Sequence, residues 1–374
     1  MARYRLKLTT LSPVHVGTAD GEIKDTEFFI KGDHVHITSE KYIAEALTRE
    51  NLIDNFVDFV QNESRPSMNK YLATLTRKQR ANIESTITIR NISLPWQNDR
   101  IFTLRPQVNN AADRSPYIPG STIKGALRST LLFLLCRDNK EELTRIVARL
   151  PWARTKNKKE FARDLDRKLL QEVNLSGVKK GPNTDWLKSL NVSDAYPKEK
   201  GCTEVITVKV VSLTDNGYHY GARNTSINVE AISAGTTFTC DVIIDEFAEN
   251  MLTRFNNGRK VFDFNALLEN LKEKFSELLN YDRKFFNLAK LDIMVKCQDL
   301  LSKQGANFRL GWGSGLMNMT VDLLLDDKTR REIRRVFYPP RGNPNFPQSK
   351  KVVVSGGSIV NTLGWINLSW EKTV

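Results

Sequence analysis

The chain opens with a strict alternation. In "RYRLKLTT", Tyr4, Leu6 and Leu8 fall on one side and Arg3, Arg5 and Lys7 on the other, the period of a strand with one buried face. Pro13 and Gly17 end it in a turn. "TEFFIKGDHVHITS" reads as a hairpin that turns at Lys31, Gly32 and Asp33. The period then lengthens: Ser39 is placed to cap a helix carrying Ile43, Ala46 and Leu47, which runs on into "NLIDNFVDFVQ". Residues 64–80 are polar and basic and admit a helix, "ESTITIRNISL" and "RIFTLRPQV" return to strand patterning, and "VNNAADRS" is an exposed loop. From Ser121 the spacing is helical again, with Ile123, Ala126, Leu127, Thr130, Leu131, Leu134 and Leu135 on one side. Beyond a basic, irregular stretch over 154–200, "EVITVKVVSL" predicts a strand and "SINVEAISAGTTFTCDVIID" a strand, turn and strand. "FDFNALLENLKEKFSELL" and "FNLAKLDIMVKCQDLLSKQ" predict long helices, and the glycine loop "RLGWGSG" is expected to lead into a strand, "LMNMTVDLLL".

Adjacent hairpins mixed with helices favour antiparallel sheet with helices on one face, an α+β class rather than a doubly wound one. A β-α-β-β-α-β, ferredoxin-like unit fits this order. Its helices are expected over Ser121–Cys136 in one half and about Asn265–Leu279 in the other. There are too many strands for one unit, so the reading is a tandem of ferredoxin-like domains with basic insertions. The first spans 1–215, with its insertion at about 151–200; the second spans 216–374 and carries the glycine loop and the C-terminal tail.

Charge sharpens the picture. The chain has 374 residues with 56 Lys and Arg against 43 Asp and Glu, a net charge of +13. Such a surplus attracts a polyanion, most often nucleic acid, and it is locally dense in "RTKNKKEFARDLDRK". At 40% hydrophobic the chain is globular. Its most apolar stretch, "TLLFLLC", is far too short for a membrane span, and "MARYRLKLTT" has no apolar region of the secretory kind. Cys136, Cys202, Cys240 and Cys297 are scattered, without a C-x-x-C pair or a histidine at zinc spacing. They read as reduced structural thiols of a cytoplasmic protein, and neither a metal nor a cofactor is expected.

Two segments look built for an anion. In "YIPGSTIKGALRS" the P-loop spacing is missing. Pro119 and Gly120 form a turn, Ser121 is a good N-cap, and Lys124 and Arg128 share a polar face near the helix start. That face suits an anion; the competing reading makes Gly125 and Ala126 small for packing and leaves Lys124 solvated. In "NFRLGWGSGLM", Gly311, Gly313 and Gly315 can present backbone amides as a nest and let a ribose-phosphate chain approach. Arg309 and Trp312 add a phosphate-pairing guanidinium and a base-stacking indole. Among the histidines, His34 and His36 share a strand face and read as structural, while His15, in the turn after the first strand, is the one candidate for acid–base chemistry. The acidic loop with Asp20, Glu22 and Asp25 matches no metal motif.

"LTTLSPVHVGTADG", "YIPGSTIKGALRS", "VSDAY", "EAISAGTTFTCDV" and "RLGWGSGLM" occur in this order, and "LGWINLSW" closes the chain. Together they resemble the RAMP superfamily of CRISPR-associated proteins, and within it the subunit that caps the far end of the type III-A (Csm) effector complex. The resemblance covers most of the chain and is weakest at 64–80 and 154–200. It implies RNA-recognition-motif-like domains, binding to CRISPR RNA near its 3′ end, stacking on the backbone subunit of the Csm complex, and support for 3′-end maturation by separate trimming nucleases. It makes Gly120, Ser121, Lys124, Arg128, Arg309, Gly311, Gly313 and Gly315 the residues facing RNA or a neighbouring subunit, with Trp312 beside them on its own chemistry, and the chain itself non-catalytic. Members that cut precursor RNA use a histidine in the first domain; here His15 is comparably placed but has no evident partner. Two enzymatic alternatives follow: a metal-independent endoribonuclease using His15, or a backbone subunit that cleaves target RNA through Asp20 or Asp25.

Overall fold

The computed structural model describes residues 2–19, 21–95, 101–148, 165–171, 173, 178, 181–221, 225–261, 263–337 and 348–373. Asp20 and the insertion residues Arg154, Lys156, Lys158, Lys159 and Arg163 lie outside them. The first strand, Ala2–Thr10, is central to one sheet. It pairs antiparallel with Thr237–Ile244 on one side and Trp365–Lys372 on the other. Phe308–Arg309 extends that sheet beyond Trp365–Lys372, and Leu190–Val192 and Tyr196–Pro197 extend it beyond Thr237–Ile244. The second sheet is organised by the long strand Thr203–Thr214, which pairs with Ser349–Ser355, Ile227–Ile232 and Gly217–Tyr220. A single parallel bridge, Ser93 to Glu204, joins it to Thr88–Ser93, beyond which lie His34–Thr38 and Phe28–Lys31. The class is therefore α+β with antiparallel sheets. Both sheets draw strands from either side of residue 215.

The alternation predicted for the first strand holds. Tyr4, Leu6 and Leu8 are buried, and Arg3, Arg5 and Lys7 are exposed. The buried row meets Phe238, Cys240 and Val242 of one neighbour, Leu368 of the other, and two helices on the same face. Helix Gly120–Asp138 contributes Ile123, Leu127, Leu131 and Leu134, and helix Leu271–Leu288 contributes Phe275, Leu278 and Leu279. All four cysteines are unpaired, and burial pushes the thiols of Cys136 and Cys240 up to about 12, which leaves them protonated and unreactive. Among the described residues no helix is long and apolar enough to cross a membrane.

Several local expectations are corrected. Ser39 occupies the N-cap position of helix Glu40–Arg49, but its side chain makes no capping bond, whereas Ser67, Thr76, Asp245 and Asp263 do cap the helices that follow them. "ESTI" completes helix Arg77–Ile87, so the strand there is only Thr88–Ser93, and "RIFTLRPQV" yields only Thr103–Leu104. The glycine loop leads into a short helix, Leu316–Met319, instead of a strand. The reason is tertiary: the buried Lys274 ammonium donates to the Asn318 carbonyl at 2.8 Å, and the Asn318 side chain donates to the Arg309 carbonyl at 3.1 Å. Lys274 makes no ion pair among the described residues, and burial pushes its pKa down to about 7.

Arg309 is also corrected. It is 3% exposed and faces the core instead of a ligand on the surface. Its Nη1 donates to Asp282 at 3.0 Å, its Nε donates to the Leu363 carbonyl at 2.9 Å, and its guanidinium lies 4.7 Å from the centre of the Trp365 ring. Asp282, fully buried, also accepts from the Lys350 ammonium. The triad ties helix Leu271–Leu288 to a strand of each sheet. Removing its carboxylate leaves two buried cations without a partner, so Asp282→Ala is expected to cost about 3–5 kcal/mol, read as a lowered midpoint in urea unfolding.

Candidate nucleic-acid interface

Three backbone segments are braided around the glycine loop. Leu310 N donates to Gly364 O at 3.0 Å, Gly364 N to Pro13 O at 2.9 Å, and Trp312 N to His15 O at 2.8 Å. The chain can run this close only without side chains. Gly311 sits at φ +85°, and a Cβ there would lie 2.7 Å from the His15 carbonyl oxygen; at Gly364 it would lie 2.3 Å from Leu310 O. Gly313 fits against Leu363, where a Cβ would stand at 3.1 Å. These glycines therefore admit protein backbone and a core leucine, not a ribose-phosphate chain. Gly315, at φ +86° with nothing within 4 Å of a Cβ, is the member of the three that faces open space.

His15 and the glycine loop, separate in the sequence, meet here. His15 is 2% exposed, and its Nδ1 lies 2.7 Å from the Glu230 carbonyl oxygen. A carbonyl only accepts, so Nδ1 carries the proton. Burial holds the imidazole below the ordinary histidine range. Its ring meets Trp312 edge-on, centroids 5.8 Å apart. Behind it the sealed Glu230 carboxylate accepts from Arg90 Nη2 at 2.7 Å and from Gln107 N at 3.0 Å. His15 thus anchors the braid, and a buried neutral ring is poorly placed to take a proton from a 2′-hydroxyl on the surface. Asp25 is partly buried, its carbonyl accepting from Met68 N at 2.8 Å. No three His, Cys, Asp or Glu side chains among the described residues are grouped to hold a metal.

The outer side of the braid is aromatic and basic. The partly exposed Trp312 ring has the Lys351 ammonium 4.9 Å and the Arg105 guanidinium 5.5 Å from its centre. Arg105 is steadied by Glu22, Nε to Oε1 at 2.9 Å, and its backbone pairs with Asn228 and Glu230. Sequence reasoning found Trp312 but missed Arg105 and Lys351, because each comes from a different segment and only the fold gathers them.

The helix start is assembled differently from the expectation. The chain enters the helix at Gly120, with Pro119 at the N-cap and Ser121 exposed. The cap is supplied from afar: Gly120 N donates to Asp194 Oδ1 at 2.7 Å. A Cβ on Gly120 would lie 2.2 Å from Val192 O, whereas one on Gly125 would meet nothing within 4 Å. Gly120, and not Gly125, is the packing glycine. Lys124 and Arg128 are not free for an anion. The Lys124 ammonium donates to Leu190 O at 2.7 Å. Arg128 forks onto Asp166 at 2.9 and 2.7 Å and onto Asp185 at 3.0 and 2.6 Å. Burial opposes its charge, but the two carboxylates outweigh it and raise its pKa. The signal for the cap was the Asp194 of "VSDAY", which pattern alone could not connect to a helix 74 residues upstream.

The sequence model of the RAMP superfamily matches residues 7–317, and the chain belongs to that superfamily. It is 25% identical over 399 aligned positions to the Csm5 protein of the CRISPR system of Methanocaldococcus jannaschii, covering 97% of this chain and 88% of that one. In fold it is similar to a chain of the cryo-EM structure of a Csm–crRNA–target RNA ternary complex of a type III-A CRISPR-Cas system. The TM-score is 0.68 and the identity 21%, with 99% of this chain and all (100%) of that one covered. It is similar too to the crystal structure of T. onnurineus Csm5, with TM-score 0.69 and identity 18%, over 96% and 99% of the two chains.

The two glycines predict opposite results. Gly120→Ala forces backbone apart and is expected to destabilise by about 1–3 kcal/mol. Gly125→Ala, in open space within the helix, is expected to stabilise by about 0.4–1 kcal/mol; urea melts of both variants check the pair. His15 predicts a pH dependence. Its folded pKa is depressed, so its contribution is fully present above the ordinary histidine value near 6.5 and is lost as pH falls through the folded value. Melting temperature should drop between pH 7 and 5, and His15→Gln should flatten part of that drop.

Proposed function

We propose that this chain is a CRISPR RNA-binding and assembly subunit of a type III-A effector ribonucleoprotein. It sits at the end of the filament near the 3′ end of the RNA, packs on the backbone subunit, and supports 3′-end maturation by trimming nucleases in the cytoplasm without cutting RNA itself. The observation that carries it is the Trp312 surface. An indole whose backbone the braid holds offers a stacking platform, and Lys351 and Arg105, each carried on a separate paired segment, offer phosphate partners. The net charge of +13 supplies the long-range attraction. The likeness to Csm5 and to a chain of a Csm–crRNA–target RNA complex supports the choice of partner.

The burial of His15 favours the binding reading over the nuclease reading. RNA affinity of the assembled complex is expected to fall steeply with salt, as neutralised phosphates release counterions. Trp312→Ala should weaken binding about tenfold, in line with a lost stacking contact of ~1–3 kcal/mol. Arg105→Ala and Lys351→Ala should each reduce the salt slope by about one, while Lys124→Ala should not change it. RNA affinity indifferent to salt, or a Trp312→Ala variant that binds like the parent, would falsify the proposal.

A further inference from the structure

A cavity of about 390 Å³ lies beside the glycine loop, lined on one side by Gly313, Ser314 and Gly315 and on another by Ser349, Lys350 and Lys351. Asp282 and Arg309 also line it, and Gly315 and Ser349 are exposed, which opens it to solvent. Two cations, Arg309 and Lys350, face one carboxylate, Asp282, while Lys351 borders the cavity from the next strand position with its ammonium at Trp312. The positive surplus is enclosed, with the Arg309 and Lys350 side chains only 4% and 14% exposed. Burial works against both charges. A buried cation without an anion is costly, and an anionic ligand relieves that cost.

Donors remain for such a ligand. An ammonium has three N–H groups and a guanidinium five. Asp282 takes one from Lys350 and one from Arg309, and Leu363 takes a second from Arg309. The rest of the lining is apolar: Val210, Leu278, Leu316 and Met317. The volume falls in the range of pockets that enclose small organic ligands, and is larger than a bare anion needs.

We propose that this cavity binds a phosphate ester the size of a mononucleotide, its phosphate between Arg309, Lys350 and Ser314 and its nucleoside against the apolar lining. The nucleotide is either free or the terminal residue of an RNA. The inference extends the RNA-binding reading and rests on it only for the second source.

The test uses the full chain and calorimetric titration with 5′-AMP, 3′-AMP and adenosine. Either nucleotide should bind saturably and adenosine should not. A hundredfold excess over Kd should raise the melting temperature by about 3 °C. Lys350→Met should lose at least tenfold in nucleotide affinity; it leaves Asp282 and Arg309 paired one to one, and a urea midpoint measured without ligand checks that the variant is folded under the titration conditions. Equal behaviour of AMP and adenosine, or full affinity in Lys350→Met, overturns the proposal. Short RNAs with a 3′-phosphate, a 5′-phosphate or neither identify the source. A terminal phosphate that strengthens binding in the parent and not in Lys350→Met assigns an RNA end. AMP binding with no effect of terminal phosphate assigns a free nucleotide. Loss of all RNA binding with AMP binding intact sinks the RNA-binding reading alone, and the reverse result sinks only this one.

Discussion

A single sealed carboxylate, Asp282, holds the architecture together. It lies on a core helix and accepts from Arg309 in one sheet and Lys350 in the other. Buried charge is expensive, so the geometry that keeps it paired is tightly specified. The consequences spread outward. Arg309 fixes the start of the glycine loop, its carbonyl receives Asn318, and Lys274 secures the short helix that follows. The loop is thereby held against His15 and presents Trp312 between two cations.

A second set of ion pairs performs the same service at the other motif. Arg128 grips Asp166 and Asp185, and Lys124 and Gly120 are bonded to Leu190 and Asp194. Both motifs look in sequence like anion sites, and in both most of the cations answer carboxylates or carbonyls of the same chain. The basic surplus available to a partner lies elsewhere, in side chains such as Arg105 and Lys351 that no motif singled out.

Much of the fold was legible. The alternation of Tyr4, Leu6 and Leu8, the three-and-four spacing from Ile123 to Leu134 and the strand around Val205 reflect burial of one face, which a local pattern records directly. The site was less legible. The glycine pattern correctly marked an unusual backbone, but pattern cannot say whether the close neighbour is a ligand or the His15 carbonyl. Ser121 was a sound choice of cap by residue type, yet Asp194 takes the bond because the sheet places it there.

The sequence by itself determined the periodicities, the antiparallel α+β class, the basic surplus and the order of motifs that marks the superfamily. These depend on residue type and spacing, which travel with the chain. The tertiary structure alone decided which charges are spent inside and which remain outside. Arg309 and Arg128 are bonded to carboxylates of their own chain, while Arg105 and Lys351 converge on Trp312 from segments more than 200 residues apart in the case of Arg105. Whether a cation is paired is a property of distance in space, and one-dimensional spacing carries no information about it.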